Sequence, residues 1–143
     1  MDQTATPAVT TEALIRRYYD AFDRGDIDGM LACVADDVVH DVNQGERREG
    51  RDRFHAFCAR MAHHYKEALD GVTIMVTADG RRAAAEFNVR GKYLVTETGL
   101  PDARGQTYAL PAGTFFAVRD GRITRVTTYY NLTDWIMQVS PAP

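Results

Sequence analysis

The adjacent pair His40-Asp41 carries the residue types in this chain that are best suited to moving a proton. A histidine beside a carboxylate can act as a general base or, once partly buried, as a pH-sensitive donor. The β-branched run Val38-Val39 predicts a strand, in which adjacent residues point to opposite faces. At most one of the two therefore faces a pocket unless a bulge intervenes. The pattern equally allows a structural role for His40 and a surface or turn-bonding role for Asp41.

A second polar group lies on a later predicted strand, where Glu86, Asn88 and Arg90 alternate with apolar residues. Alternation places these three side chains on one face, which normally meets water. If the sheet curls around helices, that face becomes partly enclosed, and its polar groups are then hydrogen-bonded and functional. Burial would raise the pKa of Glu86, and pairing with Arg90 would offset the rise. A purely structural ion pair fits the same pattern.

Three helices are predicted in the first half of the chain. Apolar residues recur at helical spacing from Thr11, with Thr10 or Thr11 as the cap and Gly25 at the end. Asp26 can cap a short second helix over residues 27–34. The third helix carries an apolar stripe, made of Phe54, Phe57, Cys58, Met61, Ala62 and Tyr65. Because such a stripe needs a partner, the third helix is expected to cover a sheet.

The second half of the chain has the pattern of strands. Asp79-Gly80 and Asp120-Gly121 are tight-turn signals between alternating segments. The predicted strands cover residues 38–43, 72–76, 82–89, 107–119 and 123–130. With the helices first and no helix between the later strands, the pattern predicts an α+β fold with an antiparallel sheet and helices on one face. We expect one domain over residues 11–138, with flexible tails at 1–10 and 139–143.

Composition disfavours several classes of function. The formal net charge of -3 over 143 residues, with arginines scattered among acids, argues against a nucleic-acid partner. No stretch reaches the ~20 apolar residues that cross a bilayer, and no export signal is recognised, so a cytoplasmic protein without a membrane partner is expected. Cys33 and Cys58 fall at apolar helix positions, which is typical of reduced core residues. His55 and His63 lie ~12 Å apart along their helix, too far to share a metal, and we expect neither metal nor cofactor.

The order of these features resembles the start of ketosteroid isomerases and SnoaL-like polyketide cyclases, members of the nuclear transport factor 2-like superfamily. The resemblance rests on the runs 17–22, 25–30 and 35–41 and on the Glu49-Gly50 entry to the third helix. It extends over about residues 12–135. It implies a cone-shaped α+β barrel, with three N-terminal helices packed in a highly curved antiparallel sheet around a deep pocket. It also implies a homodimer formed through the outer face of the sheet.

The resemblance further assigns catalytic roles. In ketosteroid isomerases an aspartate moves a proton next to a carbonyl, while a tyrosine and a neutral aspartic acid hydrogen-bond the enolate oxygen. Tyr18 matches the tyrosine. Counting forward from the acidic pair Asp36-Asp37 places the base at Val42, whereas counting back from Glu49-Gly50 places it at Asp41. We prefer Asp41, because only Asp41 can take a proton. Thr114 matches the second donor and is a weaker donor than a neutral acid.

The same resemblance orients the strands that line the pocket. It turns the polar face of the third strand inward, together with Val126, Thr128 and Tyr130 of the last strand. We therefore expect substrate contacts from seven residues, namely Glu86, Asn88, Arg90, Thr114, Thr128, Tyr130 and Trp135. Of these, Tyr130 and Trp135 also have the character of core and lid residues.

Three hypotheses for function follow. The first is a cofactor-free enzyme that moves a proton on a small, apolar, steroid- or polyketide-like carbonyl compound, giving isomerisation, cyclisation or dehydration. Its base is Asp41 or His40, and Tyr18 is the enolate donor. The second is a ligand-binding domain that performs no chemistry. The third is a hydrolase in which Glu86 or Asp41 activates water against an epoxide.

Overall fold

Six strands form one curved sheet in the computed structural model, which describes residues 5–142. The strands are β1 (Val34–Val42), β2 (Arg48–Glu49), β3 (Tyr65–Val76), β4 (Arg82–Tyr93), β5 (Thr107–Arg119) and β6 (Arg122–Tyr130). The helices are α1 (Pro7–Asp23), α2 (Ile27–Leu31), α3 (Arg51–His64) and α4 (Leu132–Val139). The sheet order is β2-β1-β6-β5-β4-β3, so β2 and β3 are its edges and it does not close on itself. The predicted α+β architecture is confirmed.

One pair of neighbouring strands departs from the antiparallel pattern. β1 and β6 run parallel, with His40 opposite Val126 and Val42 opposite Thr128. The other neighbours are antiparallel. The chain between β1 and β6 forms α3 and the three-strand meander, and this long path allows a parallel return. The pairing fixes which side chains of β1 and β6 share a face.

α1 begins earlier than its apolar pattern indicates. The Thr6 hydroxyl accepts the Val9 amide at 3.3 Å, and Pro7 occupies the first turn, where its missing N–H costs nothing. The helix therefore takes up residues 7–10 of the expected tail, whereas residues 1–4 lie outside the described residues. Thr11, expected as a cap, instead donates its hydroxyl to the Gly80 carbonyl at 2.6 Å. That bond ties α1 to the β3-β4 turn.

α2 and α3 follow their predicted starts, with different ends. Asp26 caps α2 by accepting the Gly29 amide at 2.9 Å, and the helix stops at Leu31 because β1 already begins at Val34. α3 follows Gly50, whose φ of 96° favours glycine. Within the α3 stripe only Phe54 is fully buried; Phe57, Cys58 and Met61 are half-buried, Ala62 is exposed, and Tyr65 already belongs to β3.

α4 is absent from the sequence prediction. Asn131 caps it by accepting the Asp134 amide at 3.0 Å, and the helix buries Trp135 and Val139 against the sheet. Val139 was expected in a flexible tail, yet it is fully buried. The short length of the helix, eight residues, explains why periodicity alone did not reveal it.

Two separate cores fill the concave side of the sheet. The first joins α1, α2 and the start of α3 to the sheet and contains Tyr18, Tyr19, Phe54, Phe87 and Phe116. The second lies towards α4 and contains Tyr65, Tyr93, Tyr108, Leu110, Trp135 and Val139. Tyr130 packs against both. The interior is thus lined by aromatic rings along its length.

Gly91 makes one cross-sheet contact of the second core possible. Gly91 pairs with Tyr108 on β5 and with Glu67 on β3. The Tyr108 ring crosses over the glycine, and its hydroxyl donates to Glu67 Oε2 at 2.6 Å. A Cβ on residue 91 would stand 2.2 Å from that ring. The absence of a side chain at this position therefore permits the bond.

Gly91→Ala should destabilise the protein by about 1–3 kcal/mol, because the added methyl overlaps the Tyr108 ring. Urea denaturation measures the change. Gly113→Ala is the matched control: it also lies within a strand, and its new Cβ would be 3.6 Å from the nearest carbonyl, an ordinary contact. Equal stability of the two variants would show that Tyr108 does not need the space above Gly91.

Candidate functional site

His40, and not Asp41, faces the helices. The His40 ring lies 4.4 Å from the Phe57 ring and 5.2 Å from the Phe54 ring, measured between centroids, and only 4% of the residue is exposed. Asp41 follows on the opposite face of β1. The preference for Asp41 as the base in the cone is therefore wrong, because the strand keeps its alternation and no bulge turns both residues inward.

Asp41 instead belongs to an ion pair on the outer face. Its carboxylate accepts Arg47 Nε at 2.8 Å and lies opposite Thr127 in the strand register. Burial acts to raise the pKa of Asp41, but the Thr127 hydroxyl and the Arg47 guanidinium together hold it below its usual value. Asp41 is thus an ionised group that holds the loop before β2 against the sheet.

His40 is a neutral imidazole in this setting. Burial, followed by the nearby Arg48 guanidinium, lowers the pKa of His40 to about 4, and the charge of Asp41 only partly opposes this. Its Nδ1 is buried and has no hydrogen-bond partner among the described residues. Buried polar atoms are normally paired. A ring nitrogen without a partner can hydrogen-bond a ligand atom or exchange a proton with it.

Tyr18 also lies inside the cone, as expected. Its ring contacts Tyr19, Phe54 and Phe116, with centroids 5.1–6.4 Å apart. Burial raises the pKa of Tyr18 well above its ordinary value, so the phenol keeps its proton and can donate a hydrogen bond. Phe54 touches both Tyr18 and His40 and joins the two in one cluster.

Thr114 and Thr128 form a pair of hydroxyls on the concave face. Their Oγ1 atoms are 3.2 Å apart, and Thr114 is buried. Burial raises the pKa of the neighbouring Tyr19, and the Thr114 hydroxyl partly offsets the rise. Tyr19 was not selected from the sequence, since a helical tyrosine next to the matched Tyr18 has no signal of its own. The structure adds its phenol to the buried donors.

The inward orientation predicted for Glu86, Asn88 and Arg90 is wrong. All three are exposed, and Arg90 makes a bidentate ion pair with Asp70 of β3. The opposite face of β4 is buried against the helices through Ala83, Ala85 and Phe87. Burying these apolar side chains decides the face of the strand, and alternation then sends the polar set outward.

Tyr130 lies at the junction of the two cores, and Trp135 lies within the second core. Tyr130 is half-buried, and its amide donates to Asn43 Oδ1 at 2.8 Å. Trp135 packs against the rings of three tyrosines at 5.0–5.8 Å. Glu67, which the sequence did not indicate, is a carboxylate of this region, and Glu97, which accepts the Tyr65 hydroxyl, is another. Burial raises the pKa of Glu67, and the Tyr108 hydroxyl counters the rise.

The deep pocket inferred from the resemblance remains a prediction. Two surface clefts of about 260 and 540 Å³ are found in the described part of the chain. The first is lined by α1, α2 and Cys33, and the second by residues including Asp36, Asp37 and Arg51. Neither is lined by His40 or Tyr18. Half-buried Phe57 covers His40 from the side of α3.

The curved sheet with helices on its concave face and the inward histidine-tyrosine cluster define a cone-shaped domain of the nuclear transport factor 2-like class. The family model of the SnoaL-like domain matches residues 15–126. The chain therefore belongs to the SnoaL-like domain family. No helix among residues 5–142 is long and apolar enough to span a membrane.

Solved structures agree with this assignment. A candidate polyketide cyclase from Xanthomonas campestris is 52% identical, with a TM-score of 0.92 over 94% of this chain and 100% of that chain. A candidate polyketide cyclase from Silicibacter sp. is 56% identical, with a TM-score of 0.91 over 96% and 100%. An LEH-like epoxide hydrolase from M. tuberculosis shares the fold at 18% identity, with a TM-score of 0.76 over 95% and 89%. No curated protein matches the sequence significantly.

The buried histidine should give the protein a distinct acid sensitivity. The pKa of His40 is about 4 in the folded state and about 6.5 in an unfolded chain, so the unfolded chain binds an extra proton between these values. Stability from His40 is complete above about pH 6.5 and falls by about 3 kcal/mol as the pH drops to 4. Urea denaturation at several pH values, compared between wild type and His40→Gln, isolates the contribution of His40 to the free energy of unfolding. Parallel stability curves for the two proteins would contradict it.

Proposed function

We propose that the protein is a cofactor-free enzyme that moves a proton on a small apolar carbonyl compound, with His40 as the base. The observation that carries the proposal is the buried, unpartnered Nδ1 of a neutral histidine on the concave face, in one cluster with Tyr18. Relatives above 50% identity bear the name of candidate polyketide cyclases, which fits carbonyl chemistry.

Each group has a defined task in such a reaction. His40 takes a proton from the carbon next to the carbonyl, and the electron pair left behind moves onto the carbonyl oxygen. Tyr18, whose pKa is raised by burial, keeps its proton and hydrogen-bonds that oxygen. Because burial disfavours the imidazolium, His40 readily returns the proton at another carbon, which completes an isomerisation. Attack of the same carbon on a second carbonyl would give cyclisation.

Exchange of hydrogen for deuterium tests the proposed base. Aryl ketones and β-keto esters incubated with the protein in D₂O should gain deuterium next to the carbonyl, measured by ¹H NMR. His40→Gln should slow this exchange by about 10²–10⁴-fold, the usual contribution of a general base. Asp41→Asn is the matched control and should retain most of the rate, because Asp41 faces away from the helices.

Two results would overturn the assignment of His40. One is exchange that persists in His40→Gln at the wild-type rate. The other is a loss in Asp41→Asn as large as the loss in His40→Gln, with both variants folded by circular dichroism.

A ligand-binding domain without chemistry is the second candidate. It is favoured by the close aromatic packing around Tyr18, Phe54 and Phe116, which gives a binder its apolar walls. Retention of a compound by the protein, with no deuterium gained and none of the compound converted, would favour this candidate. Epoxide hydrolysis has less support, because Glu86 and Asp41 both lie on the outer face.

We also propose that the protein forms a homodimer through the outer face of the sheet. Phe115 and Tyr129 are exposed there and pack edge to face, with centroids 5.9 Å apart. Exposed aromatic residues are enriched at interfaces because they bury much area at little entropic cost. They supply an apolar centre for the contact.

Phe115→Asp should shift the protein towards a monomer, because a charge would replace the apolar centre of the proposed interface. Sedimentation velocity over a range of concentrations measures the change. Met137→Asp on α4, which alters another exposed apolar residue, is the control and should leave the assembly unchanged. Monomeric wild-type protein at micromolar concentration would contradict the proposal.

A further inference from the structure

The short strand β2 brings an arginine to the side of His40. His40 pairs directly with Arg48 in the antiparallel β1-β2 ladder, and directly opposed residues share a face. The Arg48 guanidinium carbon lies 4.6 Å above the Phe57 ring centroid, and the His40 ring lies 4.4 Å from the same centroid. Arg48, Phe57 and His40 are therefore neighbours in one cluster.

Arg48 differs from the other arginines around it. Arg47 is paired with Asp41, Arg51 with Asp36, and Arg60 with Glu97. Arg48 has neither a carboxylate nor a hydrogen-bond acceptor among the described residues, although it is half-buried. A guanidinium has five donors, which match the two oxygens of a carboxylate. Apart from the face of Phe57, this group has its binding capacity free.

From this arrangement we propose that Arg48 binds a carboxylate of the substrate, so that a carbonyl compound carrying a carboxylate binds beside His40 more tightly than its neutral counterpart. The inference rests on the proposed function of His40 for the reacting carbon. The apolar part of the substrate packs on Phe57, and the guanidinium holds the carboxylate beside that ring. Arg48 is thus a residue that selects the charge of the substrate.

Arg60 provides an internal comparison. Its guanidinium also lies near the Phe57 ring, at 5.5 Å, but it is paired with Glu97 at 3.4 Å. The two arginines therefore stack on the same ring, and only Arg48 lacks an acidic partner. If positive charge near Phe57 were enough to favour an anionic ligand, both arginines would contribute to its affinity. A specific carboxylate site requires Arg48 alone.

Calorimetric titration of the full chain with phenylacetate and with phenylacetamide tests the site, because the two probes differ in charge and little in shape. Wild type should bind phenylacetate at least ten-fold more tightly than phenylacetamide. Arg48→Met should weaken phenylacetate by about 10–100-fold and leave phenylacetamide little changed, as expected for loss of a hydrogen bond between charged groups. Arg60→Met should change either affinity by less than about three-fold.

Arg48→Lys guards against a variant that fails to fold. It keeps the charge without the planar fork, so its affinity for phenylacetate should fall between those of wild type and Arg48→Met. The proposal is overturned if wild type binds the two probes equally or binds neither. It is also overturned if Arg60→Met loses as much affinity for phenylacetate as Arg48→Met does.

The outcome is separable from that of the deuterium-exchange experiment. Binding of phenylacetate needs no turnover, and His40→Gln should keep the ten-fold preference for the anion. If the protein binds the anion through Arg48 but catalyses no exchange, the carboxylate site stands and the proposal that His40 is the base fails. If the protein catalyses exchange through His40 but does not prefer the anion, His40 stands as the base and the proposed carboxylate site fails.

Discussion

The parallel pairing of β1 with β6 determines the chemistry that this domain can support. Once His40 lies opposite Val126, whose side chain is in the core, His40 must face the helices and Asp41 must face outward. The two residues are adjacent in sequence, yet one becomes a neutral imidazole among aromatic rings and the other an ionised partner of Arg47. A shift of one residue in this register would exchange the two environments.

Aromatic packing governs the protonation of the groups on the concave face. Desolvation favours the neutral form of a group, so it lowers the pKa of His40 and raises the pKa values of Tyr18 and Glu67. His40 and Tyr18 are therefore neutral hydrogen-bonding groups at neutral pH, while ion pairs such as Arg90 with Asp70 remain on the outer face.

Local signals in the sequence predicted most of the elements, and long-range packing decided the rest. The Asp120-Gly121 turn was correct because both residues adopt the positive φ that a tight hairpin requires. α4 was missed because its apolar spacing, which includes Trp135 and Val139, extends over only eight residues, and the start of α1 was missed because it depends on the cap at Thr6.

The candidate site was less predictable, because alternation defines two faces without saying which is buried. The apolar face of β4 is the buried one, so the resemblance, which assigned the polar face to the interior, gave the two faces the wrong way round. Tyr18 lies in the interior, and its role as a donor to the substrate stays a prediction. Arg48 gave no signal, because its position beside His40 depends on a strand of two residues and on the partners that neighbouring arginines take up.

An open sheet has a further requirement at its long edge, β3, which would otherwise offer a row of free amides to another chain. There the register shifts between Asp70 and Thr73, and Asp23 of α1 accepts the Leu69 amide at 3.1 Å. The α1 carboxylate thus occupies a backbone amide that a strand of another chain would otherwise use. The register shift interrupts the regular row of amides and carbonyls along β3. Both features disfavour aggregation along this edge.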